Sequence, residues 1–257
     1  MKNVFTPPDW VPSVSAGMRV LITGATGGLG RSLVGMLIKG STCTIGAHGS
    51  SQTSQFANDR IIPLSQTFSD ENSCCALVDN YVEKTGGIDA LVILSGSIRY
   101  SGHWIDMPAN DWENEISVNL NHPFYLARKA MKYMISQKTG GRIIFTGTES
   151  ALHGGSINSF PYAVVKRGTE CMVQGFAREG ARDGVLVNGI RLGCIASGFH
   201  ERWHNKTEEE MEKRVELIPL KRAGDSDEVA AFIIYLLSGY GDYVTGQMLP
   251  ITGGDWL

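Results

Sequence analysis

The sequence lacks the features of a membrane-bound, secreted or nucleic-acid-binding protein. Its 257 residues contain no apolar run that is long enough to span a bilayer. The N-terminus has no basic region followed by an apolar core, which a secretory signal requires. The net charge is −3 and no block of basic residues occurs, so we expect neither nucleic acid nor a membrane as a partner. We therefore expect a cytoplasmic protein.

Cysteine is scarce and shows no functional spacing. The chain has 5 cysteines, an odd number, and none of them form a CxxC pair. Structural metal sites and disulfide frameworks both need paired cysteines at characteristic spacings. We therefore expect reduced cysteines and no bound metal.

Buried strands and amphipathic helices alternate along most of the chain. Apolar, β-branched runs predict strands at 18–23, 43–47, 61–64, 88–94, 142–146, 185–190 and 247–251. Amphipathic runs predict helices at 28–39, 70–84, 111–134, 160–182 and 225–237, and the polar run at 50–58 predicts a loop with a weak helix. This alternation predicts an α/β fold with a doubly wound parallel sheet. No linker divides the chain, so we predict a single domain at 18–257 after a Pro- and Ser-rich arm at 1–17.

A cluster of glycines separates the first predicted strand from the first predicted helix. Gly24, Gly28 and Gly30 leave no Cβ between the turn and whatever lies over it. The N–H groups and the dipole of the following helix favour an anion there, and the pyrophosphate of a dinucleotide is the natural occupant. A tight strand-to-helix turn without a ligand is the alternative, because a glycine-rich turn alone is a weak signal.

Tyr162 and Lys166 are four residues apart on a predicted helix, which places them on one face. An ammonium beside a phenol stabilises the phenolate and lowers the tyrosine pKa from about 10 towards working pH. Such a tyrosine can exchange a proton with a substrate oxygen. An ordinary exposed pair is the alternative. The hydroxyl-rich segment 146–150 at the end of a predicted strand favours catalysis, since its hydroxyls can bond the same oxygen.

Together these motifs resemble those of the short-chain dehydrogenase/reductase family, in its single-domain branch similar to 3-oxoacyl-carrier-protein reductases. The matching segments, in chain order, are Thr23-Gly24-Ala25-Thr26-Gly27-Gly28-Leu29-Gly30, Val118-Asn119-Leu120, Tyr162-Ala163-Val164-Val165-Lys166, Val244-Thr245-Gly246-Gln247 and Thr252-Gly253-Gly254. The first matches the family's TGxxxGxG turn and the third its YxxxK motif. The resemblance covers residues 18–257 and implies a Rossmann-type fold.

The resemblance implies an NAD(P)-dependent oxidoreductase that transfers a hydride between a nicotinamide cofactor and a ketone or secondary alcohol. Tyr162 would be the general acid in reduction and the general base in oxidation. Lys166 would lower the pKa of Tyr162 and hold the nicotinamide ribose, and Asn119 would hold a water in a proton relay. The implied catalytic set is Asn119, Thr148, Tyr162 and Lys166. A catalytically weak dinucleotide-binding protein, acting as a redox sensor or a non-catalytic subunit, is the alternative.

Three segments depart from the family pattern. The family's serine aligns with Thr148, which lies one residue further from Tyr162 than usual, so Ser150 remains the alternative hydroxyl for orienting the substrate. The family's NNAG motif loses both asparagines here and keeps Gly96, which removes a stabilising contact between strands. The usual Pro-Gly after the sixth strand is a Leu-Gly pair that keeps Gly193.

The second predicted strand ends without the acidic residue that binds a ribose 2′-hydroxyl and repels a 2′-phosphate. We therefore expect NADP(H), with NAD(H) as the alternative because no arginine occurs there either. His48 is a candidate phosphate ligand, or simply a solvent-exposed loop residue. The residues that the resemblance assigns to the cofactor are Gly24, Thr26, Gly27, Gly28, Leu29, His48, Ser50, Thr67, Phe68, Ser95, Gly96, Tyr162, Lys166, Gly193, Ile195 and Ser197.

The substrate is expected to contact Thr148, Ser150, Phe199 and Trp203. In the family the segment after Gly193 covers the site, and here the two aromatic residues of that segment are suited to an apolar pocket. Further candidates for the pocket wall are Arg99, Tyr100, His103, Trp104 and His153. The resemblance also implies a homotetramer or a homodimer, and the small-molecule partner would be a carbonyl compound or an alcohol.

Overall fold

The computed structural model describes residues 5–6, 8–50, 56–98, 100–204 and 207–255, without the side chains of Trp203 and His204. The strands are β1 (Arg19–Thr23), β2 (Thr44–Gly49), β3 (Ile61–Ser65), β4 (Ala90–Ile93), β5 (Gly141–Thr148), β6 (Val185–Leu192), β7 (Ile195–Ala196), β8 (Gly224–Asp225) and β9 (Met248–Ile251). The α-helices are α1 (Gly28–Gly40), α2 (Glu71–Thr85), α3 (Ala109–Ile116), α4 (His122–Gln137), α5 (Ser150–His153), α6 (Phe160–Gly180), α7 (Phe199–His204), α8 (Glu208–Glu216) and α9 (Ser226–Leu237).

The main sheet is parallel, as the alternating pattern predicts. Within the described residues it has seven strands in the order β3-β2-β1-β4-β5-β6-β9. The order reverses at β1, whose neighbours are β2 on one side and β4 on the other. Parallel strands align their carboxyl ends at one edge, so the residues that follow β1, β4, β5 and β6 converge there. The predicted α/β doubly wound fold of the Rossmann type is confirmed.

Helices cover both faces of the sheet and give the molecule two apolar cores. On one face α1 and α9 bury residues such as Leu33 and Ile233 against the sheet. On the other face α2, α4 and α6 bury residues such as Tyr81 and Phe145. Strands covered on both faces need apolar side chains in both directions, which explains their nearly continuous apolar runs.

Polar caps define where two of the predicted helices begin. The Asp70 carboxylate accepts a hydrogen bond from the Ser73 N–H (2.8 Å), and the helix ends at Gly86 in the left-handed conformation (φ 71°). The Asp225 carboxylate likewise accepts from the Asp227 N–H (2.8 Å) at the start of α9. These contacts satisfy backbone groups that have no partner inside the helix. Asp70 and Asp225 are therefore the N-terminal caps of α2 and α9.

The long helix predicted at 111–134 is interrupted in the structure. It consists of α3, a π-helical turn over Ser117–Asn121, and α4. A π turn inserts one extra residue per turn, and such turns often occur at functional sites. An apolar period of 3.6 residues does not reveal a single wide turn, so the sequence predicted one continuous helix. The weak helix predicted at 50–58 falls mostly on residues 51–55, which lie outside the described part, and 56–58 are not helical.

The described part of the N-terminal arm packs against the end of α1. Val14 is buried, and its N–H donates to Ser41 Oγ (3.0 Å).

All five cysteines have free thiols, and Cys43, Cys74 and Cys194 are buried. Among the helices described, none is both long and apolar enough to cross a lipid bilayer.

Candidate active site

The glycine turn after β1 is packed so closely that a side chain does not fit. A Cβ on Gly24 would lie 2.8 Å from Ser95 N, and one on Gly28 would lie 2.3 Å from Ser197 O. Gly27 caps α1, and within the described residues the first turn has neither a side-chain cap nor an acidic residue. The N–H groups at this helix start suit a phosphate, because they and the helix dipole carry partial positive charge. The turn therefore fits the pyrophosphate of a dinucleotide.

His48, expected near the ribose, lies inside strand β2 rather than in an exposed loop. It is 3% exposed, and its ring stacks on Phe68 with the ring centroids 4.6 Å apart. One ring nitrogen, Nε2, lies 2.8 Å from Gln66 O, and the other, Nδ1, accepts from the Gly24 N–H at 3.4 Å. Burial lowers the pKa of His48 to about 4. The ring is therefore neutral at physiological pH in the protein alone, and its role as a phosphate ligand stays a prediction.

A pair of hydroxyls joins β1 to the end of β4 where the family motif loses its asparagines. Thr23 Oγ1 lies 2.8 Å from Ser95 Oγ, and the Ser95 N–H donates to the same Thr23 oxygen at 3.4 Å. This bond restores a polar link between the two strands.

Asn119 lies in the π turn and is completely buried. Its side chain bonds both backbone groups of Ser97: Nδ2 donates to Ser97 O (2.7 Å) and Oδ1 accepts from Ser97 N (3.2 Å). A Cβ on Gly96 would lie 2.9 Å from Asn119 Oδ1, so Gly96 allows this close approach. The same Nδ2 also donates to Glu115 Oε1 (2.8 Å). Sequence reasoning missed Glu115, although it lies one helical turn before Asn119.

Tyr162 and Lys166 share one face of α6, as their spacing predicts. Lys166 Nζ lies 5.6 Å from the centroid of the Tyr162 ring and donates to Thr146 O (3.0 Å). Burial lowers the pKa of Lys166 to about 8, and the Glu115 carboxylate opposes this shift. Burial also raises the pKa of Tyr162 above its ordinary value, with a further rise from Glu115. The direction is opposite to the predicted fall in the tyrosine pKa for the protein alone, because burial and the Glu115 carboxylate both disfavour the phenolate.

A cleft of about 620 Å³ opens beside Tyr162 at the carboxyl edge of the sheet. Its walls include Ile98, Thr148, Glu149, Ser150, His153, Tyr162, Gly193, Cys194, Phe199, Arg214, Leu217 and Asp255. The Phe199 ring lies 6.1 Å from the Tyr162 ring. Thr148 is the last residue of β5, and its Oγ1 accepts a long hydrogen bond (3.4 Å) from the Ser150 N–H. Both candidate hydroxyl residues therefore line the same cleft as Tyr162.

Glu149 lines this cleft. Like Glu115, it was not singled out from the sequence. Its side chain is 6% exposed, and its Oε2 has no hydrogen-bond partner among the described residues. Burial raises the pKa of Glu149; Arg191 opposes that shift, while Asp255 and Glu170 add to it. A solvated surface glutamate and a buried one look the same in a sequence. The burial appears only when the end of β5 is folded against β6.

The segment after β6 approaches both the sheet and the glycine turn. A Cβ on Gly193 would lie 2.9 Å from Thr252 Cα, so this position also needs glycine. Ile195 belongs to β7, and its side chain is buried in the core. Only its backbone is therefore available to a cofactor. Ser197 is half-buried, and its carbonyl oxygen faces Gly28.

Other predicted residues occupy more varied environments. Thr67 is exposed beside Phe68, which is half-buried against His48 and His122. Trp104 packs edge-on against Phe160, with the ring centroids 5.6 Å apart. Arg99 and the side chain of Trp203 lie outside the described part of the chain.

Comparisons with known proteins agree with this fold. A family model described as enoyl-(acyl carrier protein) reductase matches residues 46–255. The 3-oxoacyl-[acyl-carrier-protein] reductase of Thermotoga maritima is 30% identical over 247 residues, covering 93% of this chain and 97% of that protein. That of Buchnera aphidicola (subsp. Baizongia pistaciae) is 28% identical over 242 residues, covering 92% and 96%. A crystal structure of a short-chain dehydrogenase/reductase from Brucella melitensis, described as a glucose/ribitol dehydrogenase, superposes with a TM-score of 0.83 at 25% identity, covering 94% and 98%.

A doubly wound parallel sheet with a glycine turn before its first helix is the architecture of the dinucleotide-dependent oxidoreductases. This chain belongs to the short-chain dehydrogenase/reductase family, as the family match and the similar proteins show, and it is an NAD(P)-dependent oxidoreductase.

Proposed function

We propose that this oxidoreductase reduces a ketone to a secondary alcohol, with Tyr162 as the proton donor. The observation that carries this proposal is the position of Tyr162, which lines the cleft together with Thr148 and has Lys166 Nζ 5.6 Å from its ring centroid. Burial raises the pKa of Tyr162 above its ordinary value, so the phenol is protonated at neutral pH. A protonated phenol suits reduction, because it can donate to an oxygen that gains negative charge.

The proposed reaction assigns a separate task to each neighbouring group. A bound nicotinamide supplies the hydride. The Thr148 hydroxyl holds the carbonyl oxygen, and Tyr162 donates its proton to that oxygen as a C–H bond forms at the carbonyl carbon. Lys166 carries a positive charge close to the Tyr162 ring, which stabilises the phenolate left behind. Asn119 belongs to a buried hydrogen-bond network beside them, from which Tyr162 regains its proton through a relay.

We further propose that the protein prefers NADP(H) to NAD(H). The described end of β2, from His48 to Ser50, carries no carboxylate that would repel a 2′-phosphate. His48 is neutral in the protein alone and supplies no positive charge there. Arg31 directly follows the glycine turn and is the basic residue nearest to that turn along the chain, and its guanidinium donates to Thr26 O (2.5 Å).

An oligomer is also part of the proposal. Apolar side chains on α3, α4 and α6 remain partly exposed, among them Trp112, Phe124, Phe160 and Val164. These helices are those that pair between subunits in the family that the sequence resembles. A second copy of the chain would remove this apolar surface from water. The catalytically weak alternative is less favoured, because the full set of Asn119, Tyr162 and Lys166 is in place.

Cofactor titration tests the proposed function directly. NADPH and NADH are added to the purified protein, and nicotinamide fluorescence is followed. We expect NADPH to bind at least about ten times more tightly, a difference of about 1.4 kcal/mol. A panel of ketones that includes 3-oxoacyl thioesters is then assayed with the tighter cofactor. Preference for NADH would contradict the assignment at β2, and binding without turnover of any ketone would favour the non-catalytic alternative.

Alanine substitutions at the two candidate hydroxyls should have unequal effects. We expect Thr148→Ala to lower kcat/KM about 100-fold, because it removes the hydroxyl that holds the carbonyl oxygen. Ser150→Ala should change kcat/KM less than about threefold, since its N–H already bonds Thr148 Oγ1 and that bond does not need the serine side chain. Steady-state kinetics with NADPH measures both. Thr148→Ser serves as the matched control and should restore most of the activity; a larger loss in Ser150→Ala would reverse the assignment.

A further inference from the structure

A buried glutamate lies directly beside the proposed proton relay. Glu115 is the penultimate residue of α3, and its side chain is 1% exposed. Its Oε1 accepts from Asn119 Nδ2 at 2.8 Å, and the Asn119 amide also bonds both backbone groups of Ser97. The Glu115 carboxylate therefore helps to fix the orientation of the Asn119 amide, with Nδ2 towards Glu115.

Gly96 lies between the Asn119 amide and the Lys166 ammonium, and it has no side chain to separate them. A Cβ placed on Gly96 would lie 2.9 Å from Asn119 Oδ1 and 3.7 Å from Lys166 Nζ. Lys166 is itself 3% exposed, and its Nζ donates to a neutral acceptor, Thr146 O. Burying an ammonium disfavours its charged form unless an opposite charge lies close by. Glu115 supplies that opposite charge.

The charged surroundings of Lys166 are simple in the described structure. Glu115 from α3 and Tyr162 from α6 are the titratable side chains beside it in the described residues. Its neighbours from the segment after β4, from β5 and from the π turn are Gly96, Thr146 and Asn119, none of which carries a charge. A change in the charge of Glu115 is therefore felt at Lys166 and, in the same direction, at Tyr162.

We propose that Glu115 is a positioning residue that orients the Asn119 amide and keeps Lys166 charged at neutral and mildly alkaline pH. This inference rests on the proposed function, in which Lys166 must be an ammonium beside Tyr162. Burial alone lowers the pKa of Lys166, and the Glu115 carboxylate raises it; the balance is a pKa of about 8. A group that must be protonated loses its effect as pH rises through its pKa. Glu115 thus sets the alkaline limit of turnover.

Glu115→Gln separates charge from shape. A glutamine has the same length, and its carbonyl oxygen can still accept from Asn119 Nδ2. The charge is lost, so the pKa of Lys166 should fall further. We expect the alkaline fall of kcat/KM to begin about one pH unit lower than in the wild type, because nearby opposite charges shift a pKa by about one unit or more. NADPH affinity, measured by fluorescence from pH 6 to 10, should fall at the same lower pH.

Glu113→Gln is the matched control, since Glu113 is an exposed glutamate on the same helix. Its pH profile should superimpose on that of the wild type. If Glu115→Gln does not fold, Glu115→Asp keeps the charge and should keep the alkaline limit while lowering kcat. Unchanged limits in Glu115→Gln, or a lowered limit in Glu115→Asp, would overturn the inference.

Tyr162→Phe separates this inference from the proposed function. If that variant is inactive and Glu115→Gln keeps the wild-type profile, only the role of Glu115 fails. If Tyr162→Phe stays fully active, the proposed function fails, and the pH dependence of NADPH affinity still decides whether Glu115 holds the charge on Lys166.

Discussion

Replacing Tyr162 by phenylalanine should lower kcat about 1,000-fold, because it removes the proposed proton donor and leaves the shape of α6 intact. General acid catalysis contributes roughly 100- to 10,000-fold in enzymes. Phenylalanine keeps the ring that packs beside Phe199 and Lys166, so NADPH affinity should change by less than about threefold. Single-turnover and steady-state kinetics, together with fluorescence titration, measure the two quantities separately.

Tyr240→Phe is the control, because Tyr240 lies in an exposed turn and does not line the cleft. It should leave both quantities unchanged. Turnover of Tyr162→Phe within tenfold of the wild type would remove the phenol from its assigned role. Loss of NADPH binding would instead indicate that the tyrosine hydroxyl serves mainly to hold the cofactor.

Alanine at Gly30 should destabilise the protein and weaken cofactor binding at least tenfold. A Cβ there would lie 2.4 Å from Gly24 O and 2.5 Å from Ala25 Cα, and both are backbone atoms that cannot rotate away. The turn and the start of α1 must therefore move apart. Overpacking of this kind costs about 1–3 kcal/mol. Urea unfolding measures the loss of stability, and fluorescence titration with NADPH measures the loss of affinity.

The same helix offers a matched control at Gly35, where a Cβ would meet nothing within 4 Å. Gly35→Ala should raise the free energy of unfolding by about 0.5–1 kcal/mol, because alanine loses less backbone entropy in a helix. Its NADPH affinity should match the wild type. Equal behaviour of the two alanine variants would show that the turn has room for a side chain, contrary to the structure.

Much of the fold was predictable because its causes are local. Apolar runs that alternate with amphipathic runs predict the strands and helices, and Asp70 and Asp225 mark two helix starts through their own side chains. The interruption at 117–121 was not predictable, since a π turn changes the hydrogen-bonding partner without changing the apolar pattern. Nor could local pattern place Ser95 opposite Thr23, because the two residues meet only when β1 pairs with β4.

The site divides in the same way. The spacing of Tyr162 and Lys166 determined that they share a helix face, and the glycine turn determined that an anion has room at α1. The sequence by itself thus gave the family and the class of chemistry. The sequence predicted that His48 lies within reach of the cofactor, but it did not predict that the ring is neutral. The pKa of an imidazole depends on burial by residues such as Phe68 that are distant in the chain.

Only the tertiary structure decided the protonation states of the site residues and the burial of two carboxylates that the sequence did not single out. Glu115 and Glu149 are ordinary glutamates in the sequence, and folding buries one beside Asn119 and the other at the end of β5. The raised pKa of Tyr162 has the same origin. Residue types and spacings are properties of the chain, whereas desolvation and charge–charge interactions depend on which distant segments exclude water around a group. The sequence therefore determined what chemistry is available, and the packing of α3 and α6 above the sheet decided the charge each group carries while it acts.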